Sequence, residues 1–147
     1  MEPLITDIVQ ETRLIAPNHK IELTQNDPAT VHADLTYIKE MLRIFIDNSI
    51  NYTPEGGTIS VISQKADHYL DITVADTGIG IPEEDQPKIF DRFYRVDKSR
   101  SKATGGTGLG LSIARWIAEQ HSSSIQLTSK PGAGTAVTIK IPLAEHN

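Results

Sequence analysis

The stretch TISVISQKADHYLDITVADTGIGIP, Thr58 to Pro82, decides how this chain folds. Ile59 and Val61, then Leu70, Ile72 and Val74, alternate with more polar neighbours, and Ala66-Asp67-His68 between them is a tight polar turn. The segment therefore reads as an antiparallel hairpin, Thr58 to Lys65 and Tyr69 to Ala75, with one face in a core. Just upstream, Asp34 stands where an N-cap belongs. Leu35, Ile38, Leu42, Phe45 and Ser49 then share one face of a helix running to about Asn51, stopped by Thr53-Pro54-Glu55-Gly56-Gly57. Further upstream, Leu4, Ile5, Ile8, Val9 and Ile15 mark a first helix, Leu4 to Ile15, ended by Pro17-Asn18. Ile21 and Leu23 alternate as a strand, Asp27-Pro28 turns, and Thr30-Val31-His32 is expected to pair back as a short second strand. Downstream come a helix from Leu109 to Gln120, a strand from Ser124 to Ser129, a turn at Pro131-Gly132-Ala133-Gly134 and a strand from Thr135 to Ile141. Strands that arrive in adjacent hairpins, rather than alternating with helices, place the helices on one face of a mixed sheet. The expected class is α+β with two layers, in one domain over 1–147.

Composition narrows the functional classes. The 147 residues, 38% of them hydrophobic, suffice for one sizeable core and not comfortably for two. A net charge of -5 argues against nucleic-acid binding through bulk charge, so any anion site must be local. With no cysteine there is no disulfide framework, thiolate metal site or thiol nucleophile. Met1-Glu2-Pro3-Leu4 lacks the basic and apolar runs of a signal peptide, and no segment approaches the roughly 18 continuous apolar residues of a membrane span. The expected location is the cytoplasm.

Between Asp76 and Gly110 the chain turns glycine-rich and basic with only short helical pieces, a long irregular stretch of the kind that usually carries function. It opens on Asp76-Thr77-Gly78-Ile79-Gly80-Ile81-Pro82, a carboxylate at the end of an apolar strand followed by two glycines. Ionised aspartate only accepts hydrogen bonds, so it suits the exocyclic amino group of adenine and repels the carbonyl oxygen of guanine. Gly78 and Gly80 would let backbone approach a base. The same seven residues also read as a tight turn with Asp76 as a local cap, and alone they do not decide. The stretch closes on Gly105-Gly106-Thr107-Gly108-Leu109-Gly110-Leu111-Ser112, which opens a helix; free N–H groups and the helix dipole suit a polyphosphate there. This is no P-loop, since no Lys-Ser/Thr follows the last glycine, and no dinucleotide fingerprint, since Leu111 takes the third glycine's place. A plain hinge remains the other reading. Between the two lie Phe90 and Phe93, a candidate docking patch, and Arg95, Lys98, Arg100 and Lys102, a candidate phosphate lid hinged at Gly105 and Gly106. Plain core aromatics and a solvated basic loop are the alternatives. On the central helix Asn48 offers a hard carbonyl ligand for magnesium, while the adjacent Asp47 points about 100 degrees away.

Taken in order, the Asn48 helix, Asp76-x-Gly78-x-Gly80, Phe90-Asp91-Arg92-Phe93, Gly106-x-Gly108-x-Gly110 and Gly132-x-Gly134-Thr135 resemble the N, first glycine, F, second glycine and third glycine boxes of sensor histidine kinases. The match spans nearly the whole chain. The F box separates it from gyrase, Hsp90 and mismatch-repair relatives. The resemblance implies a Bergerat ATP-binding fold with a mobile lid. It also implies that Asp76 contacts adenine, that Asn48 holds magnesium, that Asn51 and Tyr52 line the phosphate and base edges together with Ile81 and Thr135, and that Gly106 to Gly110 faces the phosphates. Two positions depart from the pattern: Ile44 replaces an asparagine one turn before Asn48, and Asn51 replaces a frequent lysine or arginine.

None of His19, His32, His68, His121 and His146 has the sequence context of a phosphoacceptor, so the resemblance implies that the acceptor lies on a separate dimerisation domain. The chain reads as an excised, monomeric catalytic fragment with no catalytic base of its own. Its expected partners are that dimerisation domain, docked through Phe90 and Phe93, and a response regulator downstream, with no nucleic acid. The full-length protein would be a membrane-anchored sensor. A serine kinase or ATPase of the same fold, and a non-catalytic nucleotide-gated module, stay open beside this reading.

Overall fold

The computed structural model describes residues 1–90 and 110–144. Helix α1 (Glu2–Ile15) carries Pro3 in its first turn, where an N–H would lack an intrahelical partner anyway. It buries Ile5, Ile8, Val9 and Thr12, and the Thr12 hydroxyl donates back to the Ile8 carbonyl at 2.6 Å. Strand β1 (Lys20–Asn26) follows, and then α2 (Leu35–Tyr52). The Asp34 carboxylate caps α2 by accepting from Thr36 N at 2.9 Å, and the helix ends at Thr53, whose backbone is extended. Strands β2 (Thr58–Ala66) and β3 (Tyr69–Asp76) form the expected hairpin, with Asp67 at φ 54° in its turn. A 3-10 turn over Gln86–Lys88, helix α3 (Gly110–Gln120), and strands β4 (Ser124–Lys130) and β5 (Gly134–Pro142) complete the described chain.

The sheet runs β1-β2-β3-β5-β4, with β1 parallel to β2 and every other pair antiparallel. Alternation along the central strands does the sorting. Ile59 and Val61 on β2, Leu70, Ile72 and Val74 on β3, and Val137, Ile139 and Ile141 on β5 are buried in one cluster with Ile38, Met41, Leu42, Phe45 and Ile46 of α2. The apolar stripes of α1 and α3 join the same cluster through Ile5, Ile8 and Val9 and through Ala114, Ile117 and Ala118. Each buried Val, Leu, Ile, Met or Phe side chain in this cluster contributes about 1.5–3 kcal/mol, so the stripe positions fix which way each helix faces. The other sheet face is half-exposed and largely polar, with Thr73 and Thr138 sharing a 2.9 Å hydroxyl contact across β3 and β5. The chain is thus an α+β two-layer sandwich on a mixed sheet.

The short strand expected at 30–32 is replaced by a single bridge between Val31 and Leu143. His32 N donates to the Pro142 carbonyl at 3.2 Å and Ala144 N to the Thr30 carbonyl at 2.8 Å, so this segment extends the end of β5 rather than pairing back onto β1. Pro28 on one side and the Asp34 cap on the other leave too few residues for a ladder. Strand β1 instead takes β2 as its parallel neighbour, matching Ile21 to Ile59 and Leu23 to Val61 and so keeping both apolar residues over the core.

Candidate functional site

Asp76 is the last residue of β3, paired across the sheet with Ile59 on one side and Thr135 on the other. Its Oδ1 accepts from two backbone donors, Gly78 N at 2.9 Å and Thr135 N at 3.1 Å. One bond closes the local turn, and the other ties the carboxylate to β5, 59 residues away in sequence. Among the described residues Oδ2 meets no donor, so a strong acceptor is held in a fixed orientation at the end of the central strand.

The segment after Asp76 is tied down from three sides. Thr77 N donates to the Thr58 carbonyl at 3.1 Å, and Thr58 N donates to the Thr77 hydroxyl at 3.0 Å, which anchors it to β2. Ile79 N donates to the Tyr52 carbonyl at 3.1 Å, which anchors it to the last turn of α2. On the third side Gly132 N donates to the Ile79 carbonyl at 2.7 Å and Ile81 N to Ser129 Oγ at 2.8 Å. Gln86 then bridges the Ile81 and Ser129 carbonyls at 2.9 and 3.1 Å. Ile81 itself is buried.

The glycines have a reason beyond ligand approach. A Cβ at Gly78 would overlap the Tyr52 carbonyl and stand 2.9 Å from Thr53 Oγ1 and 3.0 Å from Asp76 Oδ1. Gly80 adopts φ 76°, and a Cβ there would overlap the Lys130 carbonyl. Protein fills both spaces, so the two glycines let the segment lie flat on α2 and on the β4–β5 turn.

Helix α2 spans the site. Ile44, Asn48 and Tyr52 follow one another at four-residue steps and form one row. At the row's near end Ile44 Cγ2 lies 3.5 Å from where a Cβ on Gly110 would stand, so α3 begins beside Ile44. At its far end Tyr52 holds the Gly78–Ile79 peptide. The two ends are separated along the helix axis by about 12 Å. Asn48 lies midway and Asn51 beside Tyr52, both half-buried, and among the described residues neither side-chain amide is hydrogen-bonded. Asp47 faces elsewhere, with its carboxylate 3.6 Å from Arg43. Burial raises its pKa, partly offset by the charge of Arg43. Gly110 and Leu111, at the start of α3, are half-buried, and Leu111 packs on the core.

Among the predicted site residues, Asn48, Asn51, Tyr52, Asp76, Gly78, Gly80, Ile81, Gly110, Leu111 and Thr135 are described. Hydrogen bonds and close packing join Tyr52, Asp76, Gly78 and Thr135 into one knot. Arg95, Lys98, Arg100, Lys102, Gly105, Gly106, Thr107, Gly108 and Leu109 lie outside the described residues, as does Phe93. Phe90 is half-buried and packs against the core. Sequence reasoning missed Ser129 and Gln86, which brace the segment through Ile81; their contacts lie 48 and 5 residues away and follow no spacing rule.

Residues 33–145 match the family model described as histidine kinase-, DNA gyrase B- and HSP90-like ATPase. The chain belongs to that family. It is similar to the sensor-like histidine kinase SenX3 of Mycolicibacterium smegmatis, 38% identical over 144 residues, which are 97% of this chain and 38% of SenX3. The chain therefore spans well under half the length of that relative. Among solved structures it resembles the nucleotide-free catalytic domain of histidine kinase ThkA at TM-score 0.74 and 30% identity, covering 94% of this chain and 93% of the other. Full-length ShkA in complex with AMPPNP superposes at TM-score 0.83 over 99% of this chain and 30% of its own, at 23% identity, a likeness of fold alone. The chain is an ATP-binding domain of the sensor histidine kinase type with the Bergerat fold. No helix among the described residues is long and apolar enough to cross a membrane.

Proposed function

We propose that residues 1–147 act as one catalytic domain that binds Mg-ATP and donates its γ-phosphoryl group to a histidine on a separate dimerisation domain, with a response regulator downstream. The observation that carries the base end of this reading is the Asp76 carboxylate, held through Oδ1 by Gly78 and Thr135 with Oδ2 left to accept the adenine amino group. Tyr52 and Asn51 border that end, and the row along α2 runs from it to the start of α3, where helix N–H groups favour phosphate oxygens. Arg95, Lys98, Arg100 and Lys102 would close over the phosphates as a lid, and Gly105 to Leu109 would face them.

Magnesium fits the donors present. Asn48 supplies a hard carbonyl oxygen, half-buried between the two ends, and the described residues contain no cluster of three His, Cys, Asp or Glu that would make an all-protein cage. A metal held by few protein groups together with phosphates and water suits that donor set. When bound, the ion would offset phosphate charge. The chain's own residues orient the nucleotide, with Asp76 fixing the base and α2 setting the direction of the triphosphate. In the transfer itself a ring nitrogen of the partner's histidine bonds to the γ-phosphorus as the γ-phosphorus–oxygen bond breaks and ADP leaves, so positioning is the domain's main contribution. The exposed part of Phe90, with Phe93, would dock that partner.

Mixing the chain with separately made dimerisation domains of sensor kinases and γ-labelled ATP tests the reading. Acid-labile, base-stable label on the partner is expected. Absence of label with every such partner refutes histidine transfer, and acid-stable label points to a serine kinase.

A further inference from the structure

The last turn of α2 is held from outside by a residue no motif includes. His19, half-buried between α1 and β1, lies with Nε2 at 2.7 Å from the Thr53 carbonyl, 34 residues away in sequence. A carbonyl oxygen only accepts, so Nε2 carries the proton and donates. Thr53 is the C-cap of α2, and the preceding carbonyl, that of Tyr52, receives Ile79 N at 3.1 Å. Two successive carbonyls at the helix end are thus taken by two different loops. The Thr53 hydroxyl, buried and without a hydrogen bond in the described structure, lies where a Cβ on Gly78 would approach to 2.9 Å. His19, Thr53, Tyr52, Ile79 and Gly78 form one chain of contacts that ends at Asp76 Oδ1.

We propose that His19 is a positioning residue for the nucleotide: by donating to the Thr53 carbonyl it fixes the turn that carries Asn51 and Tyr52 and, through the Tyr52 carbonyl, the Gly78–Ile79 backbone beside Asp76. This rests on the reading of Asp76 as the adenine acceptor. The bond does not hold the fold alone. Gly56 N donates to the Asn18 carbonyl at 2.8 Å and Lys20 N to the Gly57 carbonyl at 2.9 Å, and both backbone bonds survive a change of side chain. Removing the imidazole should leave the two loops joined and loosen only the helix end.

Calorimetric titration of the whole chain with ADP, with and without magnesium, tests this in the wild type, His19→Ala and His19→Gln. Loss of one hydrogen bond at the base end should weaken ADP roughly three- to tenfold in His19→Ala. The factor should be the same with or without magnesium. Glutamine, whose amide N–H can reach the carbonyl, should restore most of the affinity, and amide exchange of Ile79 without nucleotide should quicken in the alanine variant alone. Equal affinities in all three proteins overturn the inference while leaving the functional reading intact. Equal loss in both variants, with a matching drop in melting temperature, shows a bulk structural role and also overturns it. A wild type that does not bind ADP overturns the functional reading and this inference together.

Discussion

Replacing Asp76 with asparagine separates what the carboxylate does for the fold from what it does for the ligand. Oδ1 accepts from Gly78 N and Thr135 N at 2.9 and 3.1 Å. The asparagine carbonyl oxygen can keep both bonds, which forces its NH2 group into the place of Oδ2. A donor then faces the amino donor of adenine, and the charge is gone. Hydrogen bonds to charged groups contribute about 1.5–3 kcal/mol, so ATP should bind about 10- to 150-fold more weakly. The melting temperature should fall little. Aspartate to alanine should do the reverse to the fold, since it orphans two backbone N–H groups at about 1–3 kcal/mol each, and its melting temperature should fall well below that of the asparagine variant. Calorimetry with ATP and with GTP reads the base contact directly: the asparagine NH2 can donate to the guanine carbonyl, so the preference for ATP should narrow. Unchanged ATP affinity and unchanged preference in a folded Asp76→Asn protein would refute Asp76 as the adenine acceptor.

Three further outcomes follow from the geometry. Gly78→Ala places a methyl against the Tyr52 carbonyl, and overpacking against backbone should cost about 1–3 kcal/mol in urea unfolding, with ADP affinity falling in parallel. Glu11 is held below the usual carboxylate range, first by the hydrogen bond from Lys39 and then by the charges of Lys39 and Arg43. A lowered carboxylate stabilises above its unfolded pKa and loses that effect as pH falls through the folded one, so Glu11→Gln should flatten the acid limb of a stability–pH curve and leave a smaller salt dependence. Asp47 has the opposite sign: burial raises its pKa, so the folded state binds the proton more readily and loses stability as pH rises through the window from the ordinary to the raised value. Asp47→Asn should therefore match or exceed the wild-type melting temperature at neutral pH, with the advantage gone once the wild-type carboxyl is protonated.

Much of the fold was legible because each element carries its own period. Of the α2 stripe Leu35, Ile38, Leu42, Phe45 and Ser49, all but Leu35 in the exposed first turn are buried, and the alternating apolar residues of β2 and β3 are buried as well. The segment at 30–32 was not legible, because Val31 is a single apolar residue and its partner, Leu143, lies 112 positions away, so no local pattern distinguishes pairing with β1 from a bridge to the end of β5. Within the candidate site, Asp76 and its glycines stood out through composition. His19, Ser129 and Gln86 did not, because each acts on a backbone carbonyl or N–H, which every residue offers, and the fold alone decides which one it meets.

The glycines show how a motif can hide its cause. Read as sequence, Gly78 and Gly80 leave room for a base, whereas the structure gives the room to the Tyr52 carbonyl, the Thr53 hydroxyl and the Lys130 carbonyl. Their smallness serves preorganisation: the loop lies flat on α2 and on the β4–β5 turn, and that contact sets where Asp76 Oδ1 finds its Gly78 donor. The two ways of disturbing the base end must then separate. Asp76→Asn alters the recognising atom and leaves the packing, so affinity should fall alone. Gly78→Ala alters the packing that aims that atom, so affinity and stability should fall together, and a protein in which Gly78→Ala lost affinity at full stability would return the glycine to the ligand.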